Sequence, residues 1–293
     1  MNSRELGLVL TEQLLGADDL HYGLWGDGLE PSMANLKAAQ QRYSDMLLDA
    51  LPPPEPGPVR VLDVGCGTGH LMAQMRARGY VADGVIPSER LARRVRARLE
   101  SAPGEPSRIF ECGFEELSSE TASRVYDVVL FSESFQYIDL DAAIHGVSEL
   151  LKPGGLLVIC DFFKSEHHGD GGPGDRSFGG GHDWRRFRER MRHAPLAPLR
   201  DEDITARVSP NLDLLNELLQ ARVAPAAGTL GEYLTGNYPK TSWLLGRIFR
   251  KKLAKFRYKY LDGYRSAATF ERYKTYRFLT YRLEEPGRQQ APA

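Results

Sequence analysis

The chain is poor in the features of a secreted, membrane-spanning or polyelectrolyte-binding protein. Its 293 residues hold three cysteines, Cys66, Cys112 and Cys160. That odd number at wide spacing suggests neither a disulfide framework nor the paired ligands of a zinc ribbon. No run reaches the about 18 uninterrupted apolar residues of a membrane span, and Met1-Asn2-Ser3-Arg4-Glu5 lacks the basic-then-apolar order of a secretory signal. A cytoplasmic protein is the expectation. Excess charge is missing too: 38 basic against 39 acidic side chains leave no whole-molecule field for nucleic acid. No internal repeat is evident.

What is present is an alternation. Residues from about 6 to 51 read as helices around the turn His21-Tyr22-Gly23-Leu24-Trp25-Gly26-Asp27-Gly28 and end at Pro52-Pro53-Pro54. Next comes Val59-Arg60-Val61-Leu62-Asp63-Val64, a short apolar strand of the doubly buried kind, then Gly65-Cys66-Gly67-Thr68-Gly69 and a helix to about Arg78. Strands are expected near 80–86, 108–112, 126–131 and 155–161, with helices over 88–99 and 140–151. Repeated units of this length imply an α/β, doubly wound, mostly parallel sheet with ligands at the carboxyl ends of its strands. Seven glycines in 169–181 mark a mobile loop, read as a lid over the site. Residues 211–264 look helical, and 273–283 alternate as a last strand. The expected division is an N-terminal helical segment (1–54), a core (55–205), a helical cap (206–270), a last core strand (271–286) and a disordered tail (287–293).

Glycines at 65, 67 and 69 directly after a buried strand let main chain turn sharply and approach a ligand more closely than any Cβ permits. The third glycine of a dinucleotide fingerprint would fall at position 70, which is His70, so the spacing is wrong for NAD.

The segment from Val61 to Gly69 resembles class I S-adenosylmethionine-dependent methyltransferases, and Leu151-Lys152-Pro153-Gly154-Gly155 matches the turn before that family's fifth strand. The resemblance is strong over about 59–162. It implies a seven-stranded Rossmann-like sheet and S-adenosylmethionine as cofactor. It further implies that Asp63, Gly65, Cys66, Gly67, Thr68 and Gly69 hold the amino acid end, that Gly113, Phe114 and Glu115 border the adenine, and that Ser132, Glu133 and Gln136 lie under the methionine portion. For Phe114 the alternative is a core aromatic; for Glu115 and Glu116 it is a solvated loop charge. One departure stands out. Where the common family pattern has an acid for the ribose, this chain has Ile86, which accepts no hydrogen bond. Main chain with Ser88 replaces the acid, or Asp83 reaches round, or the nucleotide site is degenerate. The branch that resembles sterol, tocopherol, cyclopropane-fatty-acid and sugar O-methylating enzymes often lacks this acid, which favours the first.

Methyl transfer from a sulfonium needs alignment and a dry pocket, with a base only for some acceptors. Candidate bases are Glu133, then His21, His182 and Tyr137. Glu133 reads alternatively as a cofactor-side hydrogen-bonding residue and His21 as a turn-stabilising imidazole. Tyr22, Trp25 and Tyr137 either cover the sulfonium or simply pack, and His145 belongs to a helix surface or core. His167, His168 and His182 among the glycines raise the question of a metal, but so mobile a loop does not hold ligands at fixed geometry, so no metal is expected.

Between 240 and 277 twelve basic residues stand against Asp262 and Glu271, interleaved with aromatics from Phe249 to Phe278. The segment reads as an amphipathic helix with a solvated basic face, or as a contact for an anionic carrier protein or membrane surface; nucleic acid is disfavoured. The expected acceptor is a small, largely apolar molecule, lipid-like or from secondary metabolism. A different outcome on the same scaffold, such as cyclopropanation or cyclisation, and a non-catalytic cofactor-binding protein are the rival readings.

Overall fold

The computed structural model describes residues 21–55, 57–117, 124–260 and 262–284. The expectations for residues 1–20 and for the tail from 285 lie outside the described residues. Seven strands form one sheet: β1 (Arg60–Val64), β2 (Val81–Val85), β3 (Ile109–Phe110), β4 (Tyr126–Ser132), β5 (Leu151–Lys164), β6 (Leu196–Asp203) and β7 (Lys274–Leu283). Their order is β3-β2-β1-β4-β5-β7-β6, parallel from β3 to β5, with β7 antiparallel to both β5 and β6. The expected doubly wound, mostly parallel architecture is present. No described helix is long and apolar enough to cross a membrane.

Period-two alternation decides which residues face which layer. Val61, Ala82, Val128, Leu130 and Val158 point to one side. There they meet α1 (Leu36–Asp49), α2 (His70–Ala77) and α3 (Glu89–Glu100) through Tyr43 and Leu47, Met72 and Met75, and Ala92 and Val95. Leu62, Val129, Phe131, Leu157 and Ile159 point to the other side. They are covered by α4 (Leu140–Leu150) and α5 (Trp184–Arg192) through Ala143, Val147, Phe187 and Met191. The remaining helices are α6 (Thr205–Val208), α7 (Pro210–Leu218), α8 (Ala224–Asn237), α9 (Pro239–Tyr260) and α10 (Ala267–Tyr273), with a π-helical turn at Leu219–Val223 before α8.

Three expectations need correction. β6 was not anticipated, because its side chains are mostly exposed and it carries Pro198; it is an edge strand fixed by its ladder to β7 and by Arg277 bonding Asp201 and Asp203. β5 starts at Leu151 and runs past Asp161 to Lys164, looping out the Lys-Pro-Gly-Gly turn where Lys152 grips Asp127 at 2.8 Å. The glycine loop is not a free lid: Phe178, Asp175 and Ser177 are buried, and Phe178 packs edge-on against Phe270, ring centroids 5.2 Å apart.

Asp83 is fully buried in β2. It accepts from Arg108 N at 2.9 Å, from the Arg108 guanidinium at 2.8 and 3.0 Å, from Arg60 at 3.2 Å and from the Tyr126 hydroxyl at 3.0 Å. These partners sit at or just before the amino ends of β1, β3 and β4, so the carboxylate is aimed away from the ligand edge. Asp83→Ala should cost about 2–3 kcal/mol, the scale for losing hydrogen bonds to a charged group. Urea unfolding checks this, and cofactor affinity should stay unchanged because the cluster lies at the far end of the sheet.

Candidate active site

β1, β2, β4 and β5 deliver their carboxyl ends to one edge, and the strand order reverses between β1 and β4, the place where doubly wound sheets bind ligands. The turn after β1 is tied down by Gly65 N to Val85 O and Gly69 N to Cys66 O, each 2.8 Å. Gly65, Gly67 and Gly69 have φ of +79°, +55° and +74°, which L side chains rarely adopt.

The three glycines, all expected to make room for a ligand, differ in what surrounds them. A Cβ at Gly65 would come 2.5 Å from Ser134 Cβ, and one at Gly69 would come 2.9 Å from Val95 Cγ1. Those two serve the chain's own packing. At Gly67 the nearest atom is Gly65 O at 4.0 Å, so here main chain faces open space. Cys66 turns its sulfur toward Met72 and Gly84 in the core, and Thr68 is buried with Oγ1 accepting from Arg98 at 3.3 Å. Beside the turn, Asp63 is 2% exposed and no described donor reaches its carboxyl, which burial pushes up to about 7. A buried acceptor without a partner next to bare main chain fits the ammonium end of an amino acid.

Ile86 is buried against the α2–α3 side, its N–H given to Phe110 O at 2.9 Å. It offers a ribose nothing beyond main chain. Asp83 is excluded by its bonding, leaving main chain with Ser88, whose hydroxyl caps α3 at Leu91 N, or a degenerate nucleotide site. The Phe114 ring packs edge-on against Phe131 at 5.3 Å and fills the space over Gly146. Glu115 accepts from Asp139 N and Glu116 from Gly113 N, so both brace loops.

The segment after β4 holds the densest chemistry. Glu133 has φ +56°, a conformation costing about 1–3 kcal/mol in a non-glycine residue, and its N–H is held by Cys160 O at 2.9 Å. Its Oε1 accepts from Tyr22 N at 2.8 Å and the Tyr276 hydroxyl at 2.9 Å. Its Oε2 has no hydrogen-bond partner among the described residues. Burial, opposed by those two donors, pushes this carboxyl up to about 7. Tyr276 shares its hydroxyl with Tyr43 at 2.9 Å, and Tyr43 reaches Ser132 Oγ at 3.3 Å. Gln136 donates its N–H and its amide to Asp161 at 3.0 and 3.1 Å; burial first, then Glu133 nearby, push Asp161 up to about 8.

The other expected residues disperse. His21 stacks on Tyr43 at 4.5 Å with its nitrogens at Tyr22 O and Ser44 Oγ, the turn-stabilising role. His182 places Nε2 3.0 Å from Phe135 O, and burial pulls its pKa down. Tyr137 is 53% exposed. Trp25 is packed with Leu36 and Ala39 in a satellite cluster, not in the Glu133 network. Tyr22 does reach the site: its ring faces Phe270 and Tyr276 edge-on at 6.4 and 6.2 Å. No group of three or more His, Cys, Asp or Glu among the described residues is placed to hold a metal. Sequence reasoning missed Tyr43, Asp161 and Tyr276. The one available signal was Asp161, a carboxylate at the end of an apolar parallel strand.

A family model for a methyltransferase domain matches residues 36–202, more than half of the chain. The chain belongs to that family. The human mitochondrial ubiquinone biosynthesis O-methyltransferase is 32% identical over 129 residues, 42% of this chain and 35% of that one. The match thus spans about a third of that relative. Among solved structures, a geranyl diphosphate C-methyltransferase from Streptomyces coelicolor A3(2), in complex with S-adenosyl-L-homocysteine, superposes with TM-score 0.65 at 18% identity, covering 94% of this chain and 91% of that one. The cyclopropane synthase MmaA2 from Mycobacterium tuberculosis gives 0.62 at 16%, covering 90% of each. These two likenesses speak to the fold. S-adenosylmethionine is the methyltransferase family's cofactor, and Asp63 with Gly67 fits its amino acid end.

The glycines separate fold from binding. Gly67→Ala should keep the fold within about 1–2 kcal/mol, the left-handed penalty alone, while cofactor affinity falls more than about tenfold as the new methyl intrudes on the ligand. Gly65→Ala should instead lose about 3 kcal/mol or more, since overpacking adds to that penalty. Urea midpoints and calorimetric titration measure both, and wild-type affinity in Gly67→Ala would displace the site.

Proposed function

We propose that this methyltransferase transfers the methyl group of S-adenosylmethionine to a small, largely apolar organic acceptor that gives up a proton as it is methylated. The observation that carries this reading is the setting of Glu133, a carboxyl with one oxygen uncommitted, bonded through Tyr276 into a wall of aromatic rings. Phe162 meets Phe270 at 5.8 Å and Tyr276 at 6.4 Å, and Tyr22 and Phe178 join them. Such a wall favours an apolar body over a sugar or nucleotide.

When bound, the cofactor supplies a methyl group already activated on a sulfonium, so the protein needs no covalent nucleophile. Asp63 receives the ammonium end, and Gly67 lets main chain come close. Tyr22 N–H and the Tyr276 hydroxyl fix Glu133 Oε1, leaving Oε2 to take the acceptor's proton. A base with its pKa near 7 is matched to work at neutral pH. Gln136 and Asp161 hold the loop beside it, and the aromatic wall excludes water. Cys66, Cys112 and Cys160 are free, which fits a reducing compartment such as the cytoplasm. Lipid-like acceptors would also suit the basic segment at 240–277, whose partner would be anionic.

Glu133→Gln tests the assignment, assayed as transfer of labelled methyl into extractable product across a panel of apolar hydroxyl compounds. Turnover should fall ~10²–10⁴-fold, with the cofactor dissociation constant within a few-fold of wild type. Because the base acts deprotonated, wild-type rate should climb as pH rises through about 7, and the variant's residual rate should be flat there. Parallel loss of cofactor affinity would make Glu133 a binding residue.

A further inference from the structure

α8 and α9 are exposed along nearly all of their described length. α8 buries no side chain, and every described side chain of α9 is exposed except half-buried Ser242 and Tyr258. The exposed surface is apolar to a degree that water does not favour: Trp243 and Ile248 are 68% and 62% exposed, with Leu244, Leu245 and Phe249 beside them. The same helix carries eight lysines and arginines and no acid, in a chain whose net charge is −1, so positive charge is concentrated here against a net acidic remainder.

The two properties are partly sorted by side. At 100° per residue, Leu245, Ile248 and Phe249 share one flank of α9, and five of the eight cations, Lys240, Arg247, Arg250, Lys251 and Arg257, share the opposite one, where Trp243 stands among them with its ring 5.9 Å from the Arg247 guanidinium. Lys252 lies within the apolar flank with its ammonium 5.9 Å from the Phe249 ring, a stem laid on an apolar surface with its charge free to reach outward. A nucleic acid would satisfy the basic flank and leave the apolar one wet. A second copy meeting this face would set eight positive charges against eight. An anionic lipid surface satisfies both, headgroups pairing with the cations while the apolar flank enters the acyl boundary.

We propose that α8 and α9 form an interfacial arm that lays this protein on anionic membrane surfaces through the apolar and basic flanks of α9. The arm is tied to the site. α9 lies against the 175–177 turn of the glycine loop, and the Arg265 guanidinium sits 5.2 Å from the ring of Phe178 in that loop. Lys274, buried at the start of β7, holds Gly180 O of the same loop at 2.7 Å. A docked arm therefore places the loop beside the Glu133 site close to the lipid. The proposal does not depend on the methyl-transfer reading.

The test is flotation of the full chain with vesicles of phosphatidylcholine alone and of phosphatidylcholine with an equal part of phosphatidylglycerol. Binding to the anionic vesicles should exceed that to neutral ones by more than about tenfold and weaken with added salt. Arg250→Glu with Lys251→Glu should remove that preference. The triple change Trp243→Ser, Ile248→Ser and Phe249→Ser should lower binding more than about tenfold, with urea midpoint and cofactor affinity as in wild type. Absence of binding, equal binding to both vesicles, or wild-type binding by the triple serine variant would overturn the proposal. So would a stable homodimer that the serine changes dissolve, or binding of single-stranded RNA with indifference to vesicles.

Discussion

The constraint around which this site is built is the burial of carboxyl groups with no cation bonded to them. Asp63, Glu133 and Asp161 lie near or just past the carboxyl ends of β1, β4 and β5, and burial raises all three, to about 7, 7 and 8. Asp83, equally buried, has two arginines and a tyrosine, and its place at the far end makes it structural. The same residue type at two ends of one sheet thus performs two functions, decided by which partners the fold supplies. Between the ordinary carboxylate value near 4 and these raised values, the folded chain binds more protons than the unfolded one. The fold therefore loses stability as pH rises through that window. A cation bound at Asp63 offsets part of this loss.

The sheet explains why these groups converge. Parallel strands from β3 to β5 bring their carboxyl ends to one edge, and α1 and β7 each add a tyrosine on the same face of the sheet. Tyr43 from α1 and Tyr276 from β7, far apart in sequence, meet hydroxyl to hydroxyl and carry the bonding from Ser132 to Glu133. The strained backbone of Glu133 is held by this network and by Cys160 O. That a side chain is kept in a left-handed conformation where glycine would relax it argues for a function of its carboxyl group.

Much of the core was legible in the sequence because short apolar runs ended by glycine leave few alternatives. Val61–Val64 with its turn, Tyr126–Phe131 and the alternation of the last strand belong to this class. β6 was not legible, since an exposed edge strand containing Pro198 has neither hydrophobic run nor clean alternation, and only pairing with β7 makes it a strand. Glycine content misled twice. In the 169–181 loop it suggested mobility where Phe178 and Lys274 supply anchors, and after β1 it suggested three ligand-facing positions where Ser134 and Val95 occupy two. Composition reports what backbone conformations are permitted, whereas neighbours distant in sequence decide what fills the space. The Tyr43–Tyr276–Glu133 network was hidden for the same reason, as were the contacts of His21 with Tyr43, of Trp25 with Leu36 and Ala39, and of Phe114 with Phe131.

The most direct test of the central claim is calorimetric titration of the chain with S-adenosylmethionine near pH 7, in buffers of differing ionisation enthalpy. A carboxyl poised near 7 at Asp63 that receives an ammonium group must shed its proton, so saturable binding with net proton release is predicted, and Asp63→Asn should abolish that release. Saturable binding with no proton released, or release undiminished in Asp63→Asn, would contradict the account.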